Sequence, residues 1–249
     1  MNEQETLLSI KNLKTYFVNE DQVLKAVDDV SFDVKRGETL GIVGESGCGK
    51  SISCMSILKL VQSPNVRYEG GEILFEGKNT LKMTEKELRK LRGKEISVIF
   101  QEPMTALNPL YTVGDQMMEA LKIHKKLSTK NAREKCVEYL EKVKIPMPKE
   151  MLNRYPFSLS GGMRQRVMIA MALITNPKLI IADEPTTALD VTIQAQILDL
   201  MNALKDVTGS SCIFITHDLG VISEMADRVV VMYGGKVCEV ADTDVLFEH

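Results

Sequence analysis

The segment TLGIVGESGCGKS, residues 39–51, constrains the fold more than any other part of the sequence. The apolar run TLGIVG leads into a glycine-rich loop, and KSISCMSILKLV continues from it with the pattern of a helix. Gly44, Gly49, Lys50 and Ser51 have the G-x4-G-K-S spacing of a loop that holds phosphates. Glycines let backbone N–H groups converge on a phosphate without Cβ clashes, and a helix start attracts anions. A strand–loop–helix unit that binds a nucleoside triphosphate is therefore predicted, rather than a chance glycine-rich turn.

Within this loop, we expect the side chains to supplement the backbone. Lys50 places a positive charge beside the β- and γ-phosphates, and the Ser51 hydroxyl coordinates Mg2+. The loop residues predicted to contact the nucleotide are Gly44, Ser46, Gly47, Cys48, Gly49, Lys50 and Ser51. The motif indicates a nucleoside triphosphate without selecting one class of NTPase.

Two acids follow the apolar run of KLIIADEP, residues 178–185. They are Asp183 and Glu184, at the carboxyl end of a predicted buried strand, where α/β sheets bind ligands. Asp183 would hold Mg2+ through a water, and Glu184 would polarise the attacking water as general base. Acids at a strand end are often only solvated, but the phosphate loop in the same chain favours a catalytic interpretation.

Polar residues also end two further predicted strands, ISVIFQ and SCIFITH. We expect Gln101 and His217 to emerge at the same edge of the sheet, where the γ-phosphate should lie. Gln101 is predicted to be a ligand of Mg2+ and water, and His217 to contact phosphate. A histidine in a purely structural role is the alternative for His217.

Two further candidates have structural alternatives of equal merit. Asp190 precedes VTIQAQIL and is a good N-cap for that helix, and it could also serve the nucleotide site. Tyr16 could stack on adenine, although an alternating edge strand explains its position equally well.

Along the chain, strand patterns alternate with helix patterns, which predicts an α/β layered core with a largely parallel sheet. Thr84 and Glu87 form a predicted capping box, and Gly234-Gly235 a predicted hairpin turn. From Thr112 to about Ile145 the pattern is helical and charged, and Cys136, Leu140 and Val143 form one apolar stripe.

The composition argues against several classes of function. The net charge of −3 over 249 residues gives no basic surface for nucleic acid. No apolar run approaches the ~20 residues that cross a bilayer, and the amino terminus lacks a signal-peptide pattern. The five scattered cysteines indicate reduced thiols in a cytosolic protein, without a metal cluster.

The segment LSGGMRQRV, residues 159–167, is a second glycine turn that opens a helix. Unpaired N–H groups and the helix dipole make it a second candidate anion site, far from the first. An ordinary N-cap with Gly-Gly flexibility is the structural alternative.

Together, GESGCGKS, VIFQEPMTALNPL, LSGGMRQRV, LIIADEPTTALD and ITHD resemble the ATP-binding subunit of an ABC transporter over essentially the whole chain. Their longer forms most resemble the oligopeptide, dipeptide and nickel importer branch. The resemblance implies an α/β P-loop NTPase fold with a RecA-like core, an antiparallel β subdomain and a helical subdomain. It implies one domain over 1–249, with the core in 1–101 and 159–249 and the helical subdomain in 102–158.

The resemblance also implies a head-to-tail dimer, either of identical chains or with a sister subunit. Each ATP, with Mg2+, would lie between one phosphate loop and the partner's Ser160, Gly161, Gly162 and Gln165. Asp190 would link the two sites across the interface. A transmembrane permease would dock near EPMTALNPLYTVGDQ and connect the chain to an extracytoplasmic solute-binding protein. The chain would then be peripheral on the cytoplasmic face, with peptide or nickel as cargo.

Two alternatives remain open at this stage. A non-transport ABC ATPase acting on nucleic acid or the ribosome usually carries a coiled-coil insert or two cassettes, and this acidic chain has neither. A P-loop kinase or GTPase would leave the LSGGMRQ turn without a role, and the sequence has no N-K-x-D motif.

Overall fold

The computed structural model describes residues 5–20, 22–187 and 189–248. In these ranges the strands are β1 (Thr6–Val18), β2 (Val23–Lys35), β3 (Thr39–Gly44), β4 (Val66–Phe75), β5 (Lys78–Asn79), β6 (Ile96–Ile99), β7 (Leu179–Asp183), β8 (Ser211–Ile215), β9 (Arg228–Tyr233) and β10 (Lys236–Asp242). The helices are α1 (Lys50–Ser56), α2 (Glu85–Leu91), α3 (Pro103–Ala106), α4 (Val113–Lys125), α5 (Thr129–Lys142), α6 (Pro148–Met151), α7 (Gly161–Leu173), α8 (Val191–Thr208), α9 (Leu219–Met225) and α10 (Thr243–Glu248). Within the described ranges, no helix combines the length and apolar character needed to cross a membrane.

The chain divides into two compact units. The first combines the residues up to Leu91 with those from Ser211 onward, and the second is Arg92–Ser210. The predicted helical segment 102–158 falls within the second unit. The predicted scheme of one domain with a helical subdomain at those bounds stays a prediction.

The first unit contains an antiparallel sheet in the order β2-β1-β4-β5. Here β1 has a partner on each side, with Tyr16 opposite Lys25 of β2 and Arg67 of β4. The prediction of an edge strand around Tyr16 is therefore wrong. Alternating hydropathy reports which face of a strand is buried, and it does not report whether a second strand pairs with its outer side.

The other strands of this unit lie in the order β10-β9-β3-β8. Strand β3 is parallel to both β8 and β9, and its first five residues are buried. Parallel strands are covered on both faces, which explains why TLGIVG is apolar without alternation. The predicted α/β class with parallel strands is confirmed. Gly234 (φ 54°) and Gly235 (φ 80°) form the predicted hairpin turn between β9 and β10.

Helix boundaries in this unit follow local chemistry. The predicted capping box of α2 is present, because the Thr84 N–H donates to Glu87 Oε2 at 2.8 Å and the Glu87 N–H donates to Thr84 Oγ1 at 3.4 Å. The helix expected over residues 50–61 was predicted too long, since α1 ends at Ser56. Lys59 has a left-handed φ of 52°, a break that no glycine or proline announces.

In the second unit, β6 and β7 pair in parallel, and α4, α5 and α7 pack with one another. The predicted stripe of Cys136, Leu140 and Val143 is fully buried. A capping box between Thr112 and Asp115 starts α4, with the Thr112 hydroxyl donating to Asp115 Oδ2 at 2.7 Å. The predicted helical region is confirmed.

An ion pair joins β9 to the turn before β3 in the first unit. The guanidinium of Arg228 lies 3.0 Å from Glu38 Oε1 and 3.4 Å from Asp33 Oδ1. Glu38 is only 4% exposed, and its Oε2 also accepts the Lys35 N–H at 2.5 Å. Because a buried carboxylate without its cation is costly, this pair makes the two segments interdependent.

We predict that Arg228→Met destabilises the protein by about 3 kcal/mol, because it leaves the Glu38 carboxylate buried without a cation. Urea unfolding measures the change. Arg89→Met is the matched control, since Arg89 makes an exposed pair with Glu85 and should change stability by less than about 0.5 kcal/mol. Equal stability of the two variants would contradict the stabilising role of the Arg228–Glu38 pair.

Candidate nucleotide site

The phosphate loop, residues 44–51, connects β3 to α1 in the first unit. Gly44 has φ 150° and Gly49 has φ 99°. A Cβ on Gly44 would lie 2.1 Å from the Met232 carbonyl oxygen, and one on Gly49 would lie 2.4 Å from that of Ala26. Only glycine fits either position, so the loop backbone is held close against its neighbours.

Lys50 is 5% exposed, and its ammonium donates to the carbonyl oxygens of Gly44 at 2.7 Å and Glu45 at 2.9 Å. The Lys50 ammonium therefore lies against the phosphate loop, which directly precedes α1. Gly47 has φ 79° and open space where a Cβ would be, and Ser46 is exposed beside it. A concave backbone, a cation at its centre and a helix start fit a phosphate group.

Cys48 is buried within the loop, and its Sγ lies 3.9 Å from Lys50 Nζ. Its carbonyl oxygen accepts the Gly235 N–H at 3.0 Å, which attaches the loop to the β9–β10 hairpin. The Ser51 side chain is half-buried in the first turn of α1.

Tyr16 is half-buried, and its hydroxyl donates to Asp28 Oδ1 at 2.5 Å. This hydrogen bond raises the pKa of Tyr16 to about 12 and lowers the pKa of Asp28. Lys25 Nζ lies 5.5 Å from the centre of the Tyr16 ring, within cation–π distance. The predicted stacking of Tyr16 on adenine remains a prediction. His217 follows β8 in the same unit and is exposed.

In the second unit, the predicted acids lie at the end of β7. Asp183 is the last residue of this strand and is 8% exposed, and Glu184 follows with a left-handed φ of 45°. A non-glycine residue in that region is strained, and such strain clusters at functional sites. The strain therefore supports a functional role for Glu184.

Gln101 lies beside Glu184, while its predicted role as a ligand of Mg2+ and water stays a prediction. The Gln101 amide nitrogen donates to Glu184 Oε2 at 3.1 Å. Thr187, which the sequence analysis missed, donates its hydroxyl to the same oxygen at 2.9 Å. The available signal was a hydroxyl three residues after the glutamate in the sequence.

The LSGG turn begins α7 in the second unit. The Ser160 hydroxyl caps the helix by accepting the Met163 N–H at 3.4 Å. Gly161 is exposed with open space around its Cβ position, and a Cβ on Gly162 would lie 3.0 Å from Ile193 of α8. A groove of about 420 Å3, open to solvent, runs along this turn and α8, lined among others by Ser160, Gly161, Gly162, Asp190 and Gln196.

Asp190 caps α8, accepting the Ile193 N–H at 3.0 Å. The N-cap alternative is thus confirmed, while a role in linking two nucleotide sites stays a prediction. Gln165 differs from its expectation as a nucleotide contact. It is 1% exposed, and its amide nitrogen donates to the Pro185 carbonyl oxygen at 2.5 Å. Because Gln165 lies five residues after Ser160, about 140° around the helix axis, its side chain faces the protein interior rather than the groove.

Comparison with known proteins connects these elements. The family model described as "ABC transporter" matches residues 27–187. A probable peptide ABC transporter ATP-binding protein of Sinorhizobium fredii is 53% identical over 98% of this chain and 72% of its own length. The oligopeptide transport ATP-binding protein OppD of Bacillus subtilis is 54% identical over 97% of this chain and 67% of its own length.

A solved structure has the same fold over nearly the whole chain. The ATP-binding cassette MJ0796, dimeric in a post-hydrolysis state with ADP and Pi, matches with a TM-score of 0.84 and 29% identity. The match covers 95% of this chain and 98% of that one. The neighbour was thus solved as a dimer with the products of ATP hydrolysis.

The reactivity of the cysteines tests how deeply each of them is buried, including Cys48 in the phosphate loop. We predict that N-ethylmaleimide at neutral pH labels exposed Cys238 quickly and Cys48 slowly, because Cys48 is 5% exposed. Cys136 should resist labelling, since burial raises its pKa to about 12 and leaves little thiolate. Mass spectrometry of the peptides over time measures the three rates. Equal rates for Cys136 and Cys238 would contradict the assigned burial.

Proposed function

The chain belongs to the ABC transporter family, and we propose that it is the ATP-hydrolysing subunit that powers peptide import. ATP hydrolysis coupled to transport is the activity of this family. The observation that carries the proposal is the glutamate after β7, held in a strained turn by two hydrogen bonds, in a chain that also has the glycine phosphate loop. The likeness to peptide transport proteins over nearly the full chain supports peptide as cargo, with nickel as the alternative.

The phosphate loop binds the triphosphate of ATP through its backbone N–H groups and Lys50. Lys50 then exchanges its hydrogen bonds to Gly44 and Glu45 for phosphate oxygens, at small net cost since both partners are polar. The loop's other assigned contacts are Ser46, Gly47, Cys48, Gly49 and Ser51. Tyr16 is assigned to the adenine ring and His217 to the γ-phosphate.

Mg2+ fits the oxygen donors that this chain offers. We assign it to the hydroxyl of Ser51, the amide oxygen of Gln101 and the carboxylate of Asp183, since Mg2+ prefers oxygen ligands. The Gln101 amide nitrogen already donates to Glu184, which directs the oxygen of that amide elsewhere. When bound, the ion neutralises charge on the phosphates.

Hydrolysis uses Glu184 as general base. Its carboxylate accepts the proton of the attacking water, and hydrogen bonds from Gln101 and Thr187 hold that carboxylate in place. The attacking oxygen forms a bond to the γ-phosphorus as the bond to the β–γ bridging oxygen breaks, giving ADP and phosphate. Removing the γ-phosphate also removes the charge that a partner subunit recognises.

The LSGG turn acts in trans in this proposal. Ser160, Gly161 and Gly162 bind the γ-phosphate of the nucleotide held by a second ATP-binding subunit, identical or related. The groove along the turn leaves Gly161 accessible, and the helix start behind it favours an anion. Asp190, at the same groove, would connect the two sites.

A transmembrane permease is the second protein partner we assign. A groove of about 770 Å3 in the second unit is lined by Ala106, Asn108, Tyr111, Asp115, Gln116, Glu119 and Met171. Beside it Leu110 is 79% and Tyr111 55% exposed, so apolar surface is available for a partner. Docking here would hold the chain at the cytoplasmic face, with an extracytoplasmic solute-binding protein reached through the permease.

We predict that Glu184→Gln retains ATP binding but lowers turnover at least about 100-fold, because the amide cannot accept the proton. The variant should accumulate as an ATP-bound dimer. Phosphate release and size-exclusion chromatography with ATP measure the two effects. Normal turnover in this variant would refute the role of Glu184.

The trans arrangement predicts complementation between defective chains. A Ser160→Arg chain and a Lys50→Ala chain should each be inactive alone. The first substitution disables the LSGG turn in every site, and the second disables the phosphate loop in every site. Mixed, they should regain part of the activity, since one composite site then joins an intact loop to an intact turn. Phosphate release from a titrated mixture measures it. Full activity of Ser160→Arg alone would exclude a trans role for the turn.

A further inference from the structure

The side chain of Thr187 makes a direct hydrogen bond to the carboxylate of the proposed general base, Glu184. Its hydroxyl donates to Glu184 Oε2 at 2.9 Å, while its backbone N–H lies 3.4 Å from the Glu184 carbonyl oxygen. The side chain is exposed, so it is not placed there by burial in a core. Beside the weak backbone contact, the hydroxyl adds a hydrogen bond to the carboxylate.

Two donors from separate parts of the second unit meet at one carboxylate oxygen. Gln101 follows β6 and donates to Glu184 Oε2 at 3.1 Å, and Thr187 donates to the same atom from the glutamate's own turn. Two donors on one carboxylate oxygen restrict the rotation of that carboxylate. The backbone of Glu184 is strained at φ 45°, so its position depends on such surrounding contacts.

We infer that Thr187 is a positioning residue that aims the Glu184 carboxylate at the attacking water; the inference rests on the proposed role of Glu184. The amide of Gln101 is also assigned to Mg2+ and water, so in our proposal it serves more than one partner. The hydroxyl of Thr187 sits three residues from the glutamate and stays within reach whatever Gln101 binds. It therefore holds the base throughout the cycle.

The test compares Thr187→Val, which removes the hydroxyl at nearly constant volume, with Thr187→Ser, which keeps it. The full chain is purified with its membrane partners, and ATPase activity is measured against ATP concentration to give kcat and KM. Thr129→Val is the matched control, because Thr129 is an exposed residue at the start of α5. Glu184→Gln is measured in parallel.

We expect Thr187→Val to lower kcat about tenfold with KM for ATP unchanged, the size of one hydrogen bond to a charged group. Thr187→Ser should restore kcat, and Thr129→Val should change neither kcat nor KM.

Several results would overturn the inference. These are a wild-type kcat in Thr187→Val, a Thr187→Ser variant as impaired as Thr187→Val, or a change confined to KM. If Glu184→Gln is inactive while Thr187→Val is normal, only the role of Thr187 fails. If Glu184→Gln turns over normally, the proposed general base fails with it.

Discussion

The close approach of a glycine backbone to neighbouring chain segments is the constraint on which the nucleotide site depends. At Gly44 and Gly49, a Cβ would collide with carbonyl oxygens of Met232 and Ala26. These contacts set the path of the loop, and the Gly235 N–H reinforces it by donating to the Cys48 carbonyl oxygen. The backbone N–H groups can gather around a phosphate only because side chains are absent at these points.

A comparable constraint acts in the second unit, where the strand β7 ends in a turn at Glu184. Here the backbone is strained rather than relaxed, and the contacts that hold it come from polar groups. The buried amide of Gln165 attaches α7 to this turn through the Pro185 carbonyl oxygen. The helix that begins with the LSGG turn is thereby joined to the segment that carries the proposed base.

In our proposal, one chain combines hydrolysis with a response to a partner. Phosphate binding, proton transfer and recognition by the LSGG turn are assigned to different structural elements. Among the described residues, none that lines the groove at α4 also lines the groove at the LSGG turn. A permease and a second ATP-binding subunit can therefore use separate surfaces in our proposal.

Local sequence was sufficient for those parts of the molecule where one residue type is required by backbone geometry. The glycine loop, the Thr84–Glu87 capping box and the Gly234-Gly235 turn follow from such requirements, and the apolar runs announce the parallel strands. Strand pairing of β1, the early end of α1 and the inward direction of Gln165 depend on segments distant in the chain, so no local pattern reports them. The hydroxyl of Thr187 became informative only when the turn placed it on Glu184, because a hydrogen bond needs a distance as well as a donor.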